Sequence, residues 1–229
     1  MAFFFLVRKS TVKDFCSSAS PLYFSFVRMR YRYGSLSVCI IDCIYSLRAR
    51  YYSVTMPVVE RYAAYYLCNN IESPDDKISD LIAHIQNAGG PVPFSSAILN
   101  NAQRSGGVLK SEICLNLAQY LQLLHIETIE DFRNFASQEL LEIVVNSVKG
   151  LGDAGTNYLF MLAGDPNRCK PDVHIHHCIR DACGEDISND DCQILFTDAA
   201  TELREDYPEL TVAMLDGIIW RQYQTTKQK

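Results

Sequence analysis

Apolar residues along most of this chain recur at spacings of three and four, which is the period of a helix with one buried face. In the segment 108–124 these residues are Ile113, Leu117, Tyr120, Leu121 and Leu124. Residues that cap helices precede several such segments, as Thr128 does with Asp131 three positions on, and as Ser188 does with Asp191. The sequence therefore predicts an all-α protein.

Two earlier segments, 38–52 and 57–68, are rich in branched and aromatic residues that also suit strands. Pro57 fits the first turn of a helix, and the apolar residues after it keep helical spacing, so both segments are predicted as buried helices. A further helix is expected over 94–102, ended near Gly106-Gly107. Others are expected over 108–124, 140–148, 156–163, 192–204 and 212–223.

The sequence Ser73-Pro74-Asp75-Asp76 is typical of a helix start. It supplies in order an N-cap serine, a proline for the first turn and two acids that complement the helix dipole. We expect a helix from this point to about Asn87, where Gly89-Gly90-Pro91 stops it.

Charge is distributed unevenly along the chain. The net charge is −6, whereas residues 1–62 carry nine Lys or Arg against three Asp or Glu, so that part is +6 and the remainder −12. Domains that bind nucleic acid are usually basic, so the total argues against such a partner. The uneven distribution is compatible with a basic face that binds a partner. It is equally compatible with an asymmetry of solvated surface charges that has no binding role.

The nine cysteines are odd in number and irregularly spaced, which favours buried thiols in a reducing compartment. Gaps of eight, four and eight residues separate Cys169, Cys178, Cys183 and Cys192, and these match neither a zinc site nor an iron–sulfur cluster. We therefore predict no metal and no cluster. No apolar run reaches the roughly 18 residues of a membrane span, so we expect no membrane partner and a cytoplasmic, nucleoid-associated or nuclear location.

A turn-rich stretch, 164–171, is the domain boundary that the sequence suggests. It divides a helical lobe, 31–165, from a terminal lobe, 166–229. Residues 1–30 are predicted as an extension that is either poorly ordered or part of the terminal lobe. A targeting peptide is not favoured, because the apolar run 2–7 is short and no cleavage site follows it.

Two glycines separated by one apolar residue lie between two helical patterns, in Val148-Lys149-Gly150-Leu151-Gly152-Asp153-Ala154-Gly155-Thr156. Glycines permit a tight turn that points backbone N–H groups and a helix N-terminus at a phosphate, a contact that ignores base sequence. The same pattern also fits a plain turn between two helices. The residues predicted to contact DNA here are Lys149, Gly150, Leu151, Gly152, Gly155 and Thr156.

A second motif, Lys170-Pro171-Asp172-Val173-His174-Ile175-His176-His177, follows the hairpin. Hairpin, helix, short loop and Asp-Val-His-x-x-His together resemble the helix-hairpin-helix (HhH-GPD) DNA glycosylase superfamily, with oxoguanine glycosylases and endonuclease III-like proteins nearest in motif. The motifs cover residues 148–178, and the arrangement covers about 38–219. The resemblance implies two helical lobes, a base flipped into a cleft, and duplex DNA as partner. A monomer is favoured, and a monovalent cation at the hairpin is compatible with the resemblance.

The resemblance implies that Asp172 is the catalytic residue. Cleavage of an N-glycosidic bond develops positive charge on the sugar, which a carboxylate can stabilise while it orients or deprotonates water. An aspartate after proline also suits a helix N-cap, and the two roles are compatible. Asp153 or Ala154 stands where bifunctional members have a nucleophilic lysine, so the implied enzyme is monofunctional, with water as nucleophile.

Other contacts are implied less directly. The apolar helix 40–48 resembles the one that precedes the DNA-intercalating loop of these enzymes, which implies that Arg48 fills the gap left by a flipped base. Lys170 is predicted to contact a phosphate. His174 and His177 share a helix face, where they bind a phosphate, support Asp172 or pack between helices.

Three functions are consistent with these features. The first is a monofunctional DNA N-glycosylase. The second is a non-catalytic helix-hairpin-helix protein that only binds DNA, for which the acidic total and the absent lysine leave room. The third is a helical protein-interaction domain in which the hairpin is merely a turn.

Overall fold

The structure, a computed structural model, describes residues 33–72 and 74–226. Its described residues divide into two compact units, one within residues 32–163 and one within residues 164–229. The regular secondary structure of the described part is almost entirely helical, which confirms the predicted all-α class. The extension predicted over residues 1–30 lies outside the described residues. None of the helices described has both the length and the apolar character that a membrane span requires.

The helices of unit 32–163 are α1 Leu36–Ser46, α2 Met56–Tyr66, α3 Ile78–Asn87, α4 Lys110–Leu123, α5 Ile129–Asn134, α6 Gln138–Asn146 and α7 Gly152–Leu162. Between them lie the π-helical turns Tyr51–Thr55 and Phe94–Ile98 and the short helical segment Pro91–Pro93. Strands β1 Arg104–Ser105 and β2 Val108–Leu109 pair antiparallel, with Arg104 opposite Leu109.

Helix α1 lies at the centre of this unit. Every residue from Leu36 to Ser46 is buried, and the helix packs on α2, α4 and α7. The hydroxyl of Ser35 caps it by accepting a hydrogen bond from the Val38 N–H. A helix that is buried around its whole circumference must be covered on all sides, so α1 organises the helices around it.

Asp42 lies in the middle of this buried helix. Its Oδ2 accepts hydrogen bonds from the Tyr33 and Tyr51 hydroxyls, at 2.7 Å each, and its Oδ1 accepts one from Tyr158 of α7 at 3.0 Å. Burial and the Asp42 charge raise the pKa of Tyr33 well above its usual value, so its hydroxyl stays a donor. These bonds satisfy a carboxylate that would otherwise be costly to bury, and they join α1 to α7.

The second unit is built from α8 Val173–Cys183, α9 Asn189–Leu203 and α10 Val212–Thr226. Helices α8 and α9 both pack on α10. Gly184 ends α8 in the left-handed conformation, and Ser188 caps α9 by accepting a hydrogen bond from the Asp191 N–H, as predicted. The apolar side chains of the core include Ile175, Ile179, Leu195, Phe196, Leu215 and Ile219.

The predicted helix start at Ser73 is wrong. Helix α3 begins at Ile78, and the N–H of its N-cap residue, Lys77, donates to the Asp80 carboxylate at 2.8 Å. Asp76, which was expected in the first turn, instead accepts a hydrogen bond from the Ser35 hydroxyl at 2.7 Å. Ser73 itself lies outside the described residues. The predicted end of this helix near Asn87 is confirmed.

The helix predicted over 94–102 is also wrong in its second half. The π-helical turn ends at Ile98, and Asn100 has a left-handed φ of 48°. The chain then forms β1 and β2, so Gly106 and Gly107 are the tip of a strand pair and not a helix end. Helix α4 consequently begins two residues later than its predicted start, at Lys110.

We expect Asp42→Ala to unfold far more easily than wild type. The substitution removes the shared acceptor of three tyrosine hydroxyls, two of them on buried side chains, so the free energy of unfolding should fall by about 3 kcal/mol or more. Tyr158→Phe removes one of the three bonds and should cost about 1 kcal/mol. Urea denaturation, followed by circular dichroism, measures the free energy of unfolding of both variants. A small loss in Asp42→Ala, similar to that in Tyr158→Phe, would contradict the network.

Candidate functional site

The turn between α6 and α7 has the backbone that its two glycines permit. Gly150 has a φ of 98° and Gly152 a φ of 69°, and both values lie in the region that favours glycine. The Leu151 N–H donates to the Val148 carbonyl at 3.1 Å and closes the turn. Helix α7 begins at Gly152, four residues before the predicted start, so the turn is shorter than the sequence indicated.

The N-terminus of α7 is not capped by a side chain, because the N-cap residue is the apolar Leu151. Asp153, the acid of the first turn, is exposed and accepts a hydrogen bond from the Asn146 side-chain amide at 3.1 Å. The Thr156 hydroxyl donates to the side-chain oxygen of Asn146 and contacts the Gly152 carbonyl. Thr156 therefore closes the hairpin from inside.

The hairpin residues that were predicted to contact DNA differ in their exposure to solvent. Lys149 and Gly152 are exposed and Gly150 is partly exposed, so they are accessible to a phosphate. Three others, Leu151, Gly155 and Thr156, are buried, so the structure gives them a packing role.

Gly155 brings α7 into close contact with α1. A Cβ atom at Gly155 would lie 2.7 Å from Leu151 Cδ1 and 3.3 Å from Leu47 Cδ2. Its carbonyl lies 3.1 Å from the Cys43 thiol, which donates to it. The C-terminal end of α1 is therefore packed against the hairpin helix, and Arg48 follows that end directly.

Lys110, which the sequence did not single out, holds the end of α1 in place. Its side chain is 1% exposed, and Nζ donates to the carbonyls of Tyr45 and Leu47, at 3.1 and 2.7 Å, and to Gln103 Oε1 at 3.0 Å. A cation at the C-terminus of a helix complements its dipole. Arg48, exposed and with a left-handed φ of 51°, follows immediately. Lys110 thus fixes the turn that presents Arg48.

The strand pair also packs on the hairpin. The Ser105 hydroxyl donates to the Gly150 carbonyl at 2.6 Å, and a Cβ at Gly150 would lie 2.7 Å from the Ser105 carbonyl oxygen and from Ile113 Cδ1. Arg104, exposed, donates to the Gly107 carbonyl at 2.9 Å. This strand pair was not predicted, because Gly106-Gly107 also suits a helix end. Arg48, Arg104 and Lys149 therefore lie on three elements that contact one another.

Asp172 is the N-cap of α8, as predicted. Its Oδ1 accepts hydrogen bonds from the backbone N–H groups of His174 and Ile175, at 2.8 and 3.2 Å. Among the described residues none donates a hydrogen bond to Oδ2, and the side chain is half-buried. One carboxylate oxygen is thus fixed by the helix while the other is available to a ligand.

The histidines of α8 have different surroundings. His174 lies edge-on to Trp220, with ring centroids 6.0 Å apart. His176 contacts Asn189 Oδ1 through Nε2, at 3.1 Å, and the Cys192 thiol through Nδ1, at 3.8 Å. A histidine that is held by an asparagine can activate a neighbouring cysteine thiol. Cys192, however, is fully buried, and desolvation raises its pKa to about 12. It remains a packed thiol and not a nucleophile.

A cavity of about 460 Å³ lies in unit 32–163. Its lining includes Tyr66, Asp76, Asp80 and His84, and it contains none of the residues predicted to act on DNA. Within the ranges 33–72 and 74–226, no three His, Cys, Asp or Glu side chains are grouped so that they could hold a metal ion.

Comparison with known proteins identifies a family without an assigned function. Residues 11–224 match the family described as Domain of unknown function (DUF8548). The chain belongs to this family. No curated protein matches its sequence.

One solved structure is similar to this DUF8548 chain: the Methanocaldococcus jannaschii 8-oxoguanine glycosylase/lyase in complex with a 15mer DNA containing 8-oxoguanine. The alignment covers 93% of this chain and 86% of that one, with 14% identity and a TM-score of 0.47.

Gly150→Ala and Gly152→Ala are a matched pair that tests the hairpin packing. Both positions have positive φ, but a methyl group at Gly150 would meet Ser105 and Ile113, whereas nothing lies within 4 Å of one at Gly152. We expect Gly150→Ala to cost about 2–4 kcal/mol of unfolding free energy and Gly152→Ala about 1 kcal/mol. Chemical denaturation compares them, and equal losses would contradict the contact with the strand pair.

Proposed function

We propose that this chain is a monofunctional DNA N-glycosylase that uses water to cleave the bond between a base and its deoxyribose. The observation that carries the proposal is the geometry of Asp172, whose Oδ1 is held by two backbone N–H groups while Oδ2 receives no hydrogen bond from the described residues. A carboxylate oriented in this way can stabilise the positive charge that develops on the sugar, and it can accept a proton from the attacking water.

The hairpin supports binding to the DNA backbone. A phosphate oxygen suits the start of α7 for three reasons. Gly152 is exposed there, no side chain caps the helix, and the positive end of the helix dipole lies at this point. Lys149 is exposed beside them, and Arg48 and Arg104 lie on the elements packed against the turn. Contacts of this kind provide affinity without sequence specificity.

The residues at the position of the Schiff-base lysine support the monofunctional assignment. Asp153 and Ala154 occupy the positions where a Schiff-base lysine is expected after the hairpin glycines. Lys110 is near the hairpin elements, but its ammonium group is buried and donates to three protein oxygens, which matches the three hydrogens that it carries. The product expected from water attack is an intact strand with an abasic site.

In the test, the protein is incubated with duplexes that carry different damaged or modified bases. Alkali is then added, which cleaves the strand at any abasic site. Wild type should release one class of base and leave strands that break only after alkali. Asp172→Asn keeps a good N-cap residue, so the fold should be retained while base release falls at least about 100-fold. Strand cleavage without alkali, or a borohydride-trapped adduct, would contradict the monofunctional mechanism.

A measurement of binding to duplex DNA at several salt concentrations, made beside that test, distinguishes the second candidate function. Salt-dependent binding to duplex DNA without release of any base would favour a non-catalytic DNA-binding protein. If the protein binds duplex DNA at no salt concentration, both DNA functions are excluded, and a protein-interaction domain is the candidate that remains.

Asp153 provides a prediction about affinity. Its exposed carboxylate lies in the first turn of α7, where a phosphate is proposed to bind, so Asp153→Asn should tighten binding to undamaged duplex about two- to fivefold at low salt. Lys149→Ala should weaken binding and reduce the salt slope by about 1. Fluorescence anisotropy measures both, with the exposed Glu130→Gln on α5 as control. An unchanged affinity in both variants would exclude the hairpin from the binding surface.

A further inference from the structure

The segment before Asp172, predicted as a turn-rich link, is held by residues of two later helices. From α9, the Gln193 side-chain amide donates to the Asn167 carbonyl at 2.7 Å and accepts from the Cys169 N–H at 2.9 Å. From α10, the Ala213 N–H donates to the Pro166 carbonyl at 3.1 Å. Gln193 therefore binds the segment on both sides of Arg168, in the way that a neighbouring strand would.

Asp216 of α10 makes the contact nearest to Asp172. It is 4% exposed, and its Oδ2 accepts a hydrogen bond from the Lys170 backbone N–H at 2.8 Å. The Lys170 carbonyl in turn accepts one from the Asp172 N–H at 2.7 Å, across Pro171. One peptide segment thus connects the buried carboxylate of Asp216 to the backbone of Asp172.

A buried carboxylate is expensive, and it persists in a folded protein where its hydrogen bonds offset the cost of desolvation. The bond from an N–H to a carboxylate is stronger than one to a neutral oxygen. Because proline fixes its own φ, holding Lys170 on one side of Pro171 restricts the direction from which Asp172 enters α8. The direction of the Asp172 side chain therefore depends on Asp216.

We propose that Asp216, assisted by Gln193, is a positioning residue that fixes the Asp172 carboxylate through the backbone of Lys170. The role rests on the proposed glycosylase function. Asp216 acts on the rate of base release and not on the affinity for DNA, because the residue it orients acts in the transition state. Displacement of a reacting group by about 1 Å costs roughly 100-fold in rate, which sets the expected effect.

The experiment has one readout that does not depend on activity. Hydrogen exchange resolved by residue should show a protected Lys170 amide in wild type and in Asp216→Asn, whose side-chain oxygen can still accept the bond. Asp216→Ala should reduce that protection at least about tenfold. Unchanged protection in Asp216→Ala would overturn the inference whatever the activity.

The second readout is single-turnover base release from a duplex that wild type processes. Asp216→Ala should slow release about 100-fold, with affinity for a duplex containing a tetrahydrofuran abasic analogue unchanged within about twofold. Asp216→Asn should restore most of the rate, and the exposed Glu205→Gln is the matched control. If Asp216→Ala does not fold, Gln193→Ala replaces it with the same expected split between rate and affinity.

A double-mutant cycle separates positioning from a general loss of structure. In an Asp172→Asn background, Asp216→Ala should cause no further loss of rate, because the group that it orients is already missing. An equal loss in both backgrounds would overturn the positioning role alone. A wild-type protein that releases no base from any duplex would overturn the proposed function and this role with it.

Discussion

The buried ammonium group of Lys110 is the interaction on which the proposed DNA face depends. A charge in the protein interior is stable only when each of its donors is bound, so its three acceptors have fixed relative positions. Those acceptors belong to the end of α1 and to Gln103, directly before β1. The Arg48 turn and the strand pair are thereby anchored at one point, and the strand pair in turn packs on Gly150 of the hairpin.

Local chemistry made much of the fold predictable. The pairs Thr128–Asp131 and Ser188–Asp191 cap helices as expected, since capping needs only residues a few positions apart. The failures have distant causes. Asp76 suits a helix start in sequence, yet its partner is Ser35, 41 residues away. The strands after Asn100 are two residues long each, which is too short to produce an alternating pattern.

The features of the candidate site likewise divide into those set by neighbouring residues and those set by distant ones. The left-handed hairpin glycines and the N-cap role of Asp172 follow from neighbouring residues, so the sequence was sufficient for them. Lys110 could not be recognised, because a lysine beginning an amphipathic helix is usually solvated and only the tertiary structure buries it. Gln193 and Asp216 reach the Asp172 segment from helices that follow it in the chain, and no local pattern marks them.

The central claim is that Asp172 stabilises a sugar cation, and it can be tested without knowing which base is removed. Two duplexes are compared, one carrying a protonated pyrrolidine in place of a deoxyribose and one carrying neutral tetrahydrofuran. Wild type should bind the cationic duplex at least about 100-fold more tightly, and Asp172→Asn should abolish that difference without weakening binding to tetrahydrofuran. Equal affinities in wild type, or a preference that survives in Asp172→Asn, would contradict the account.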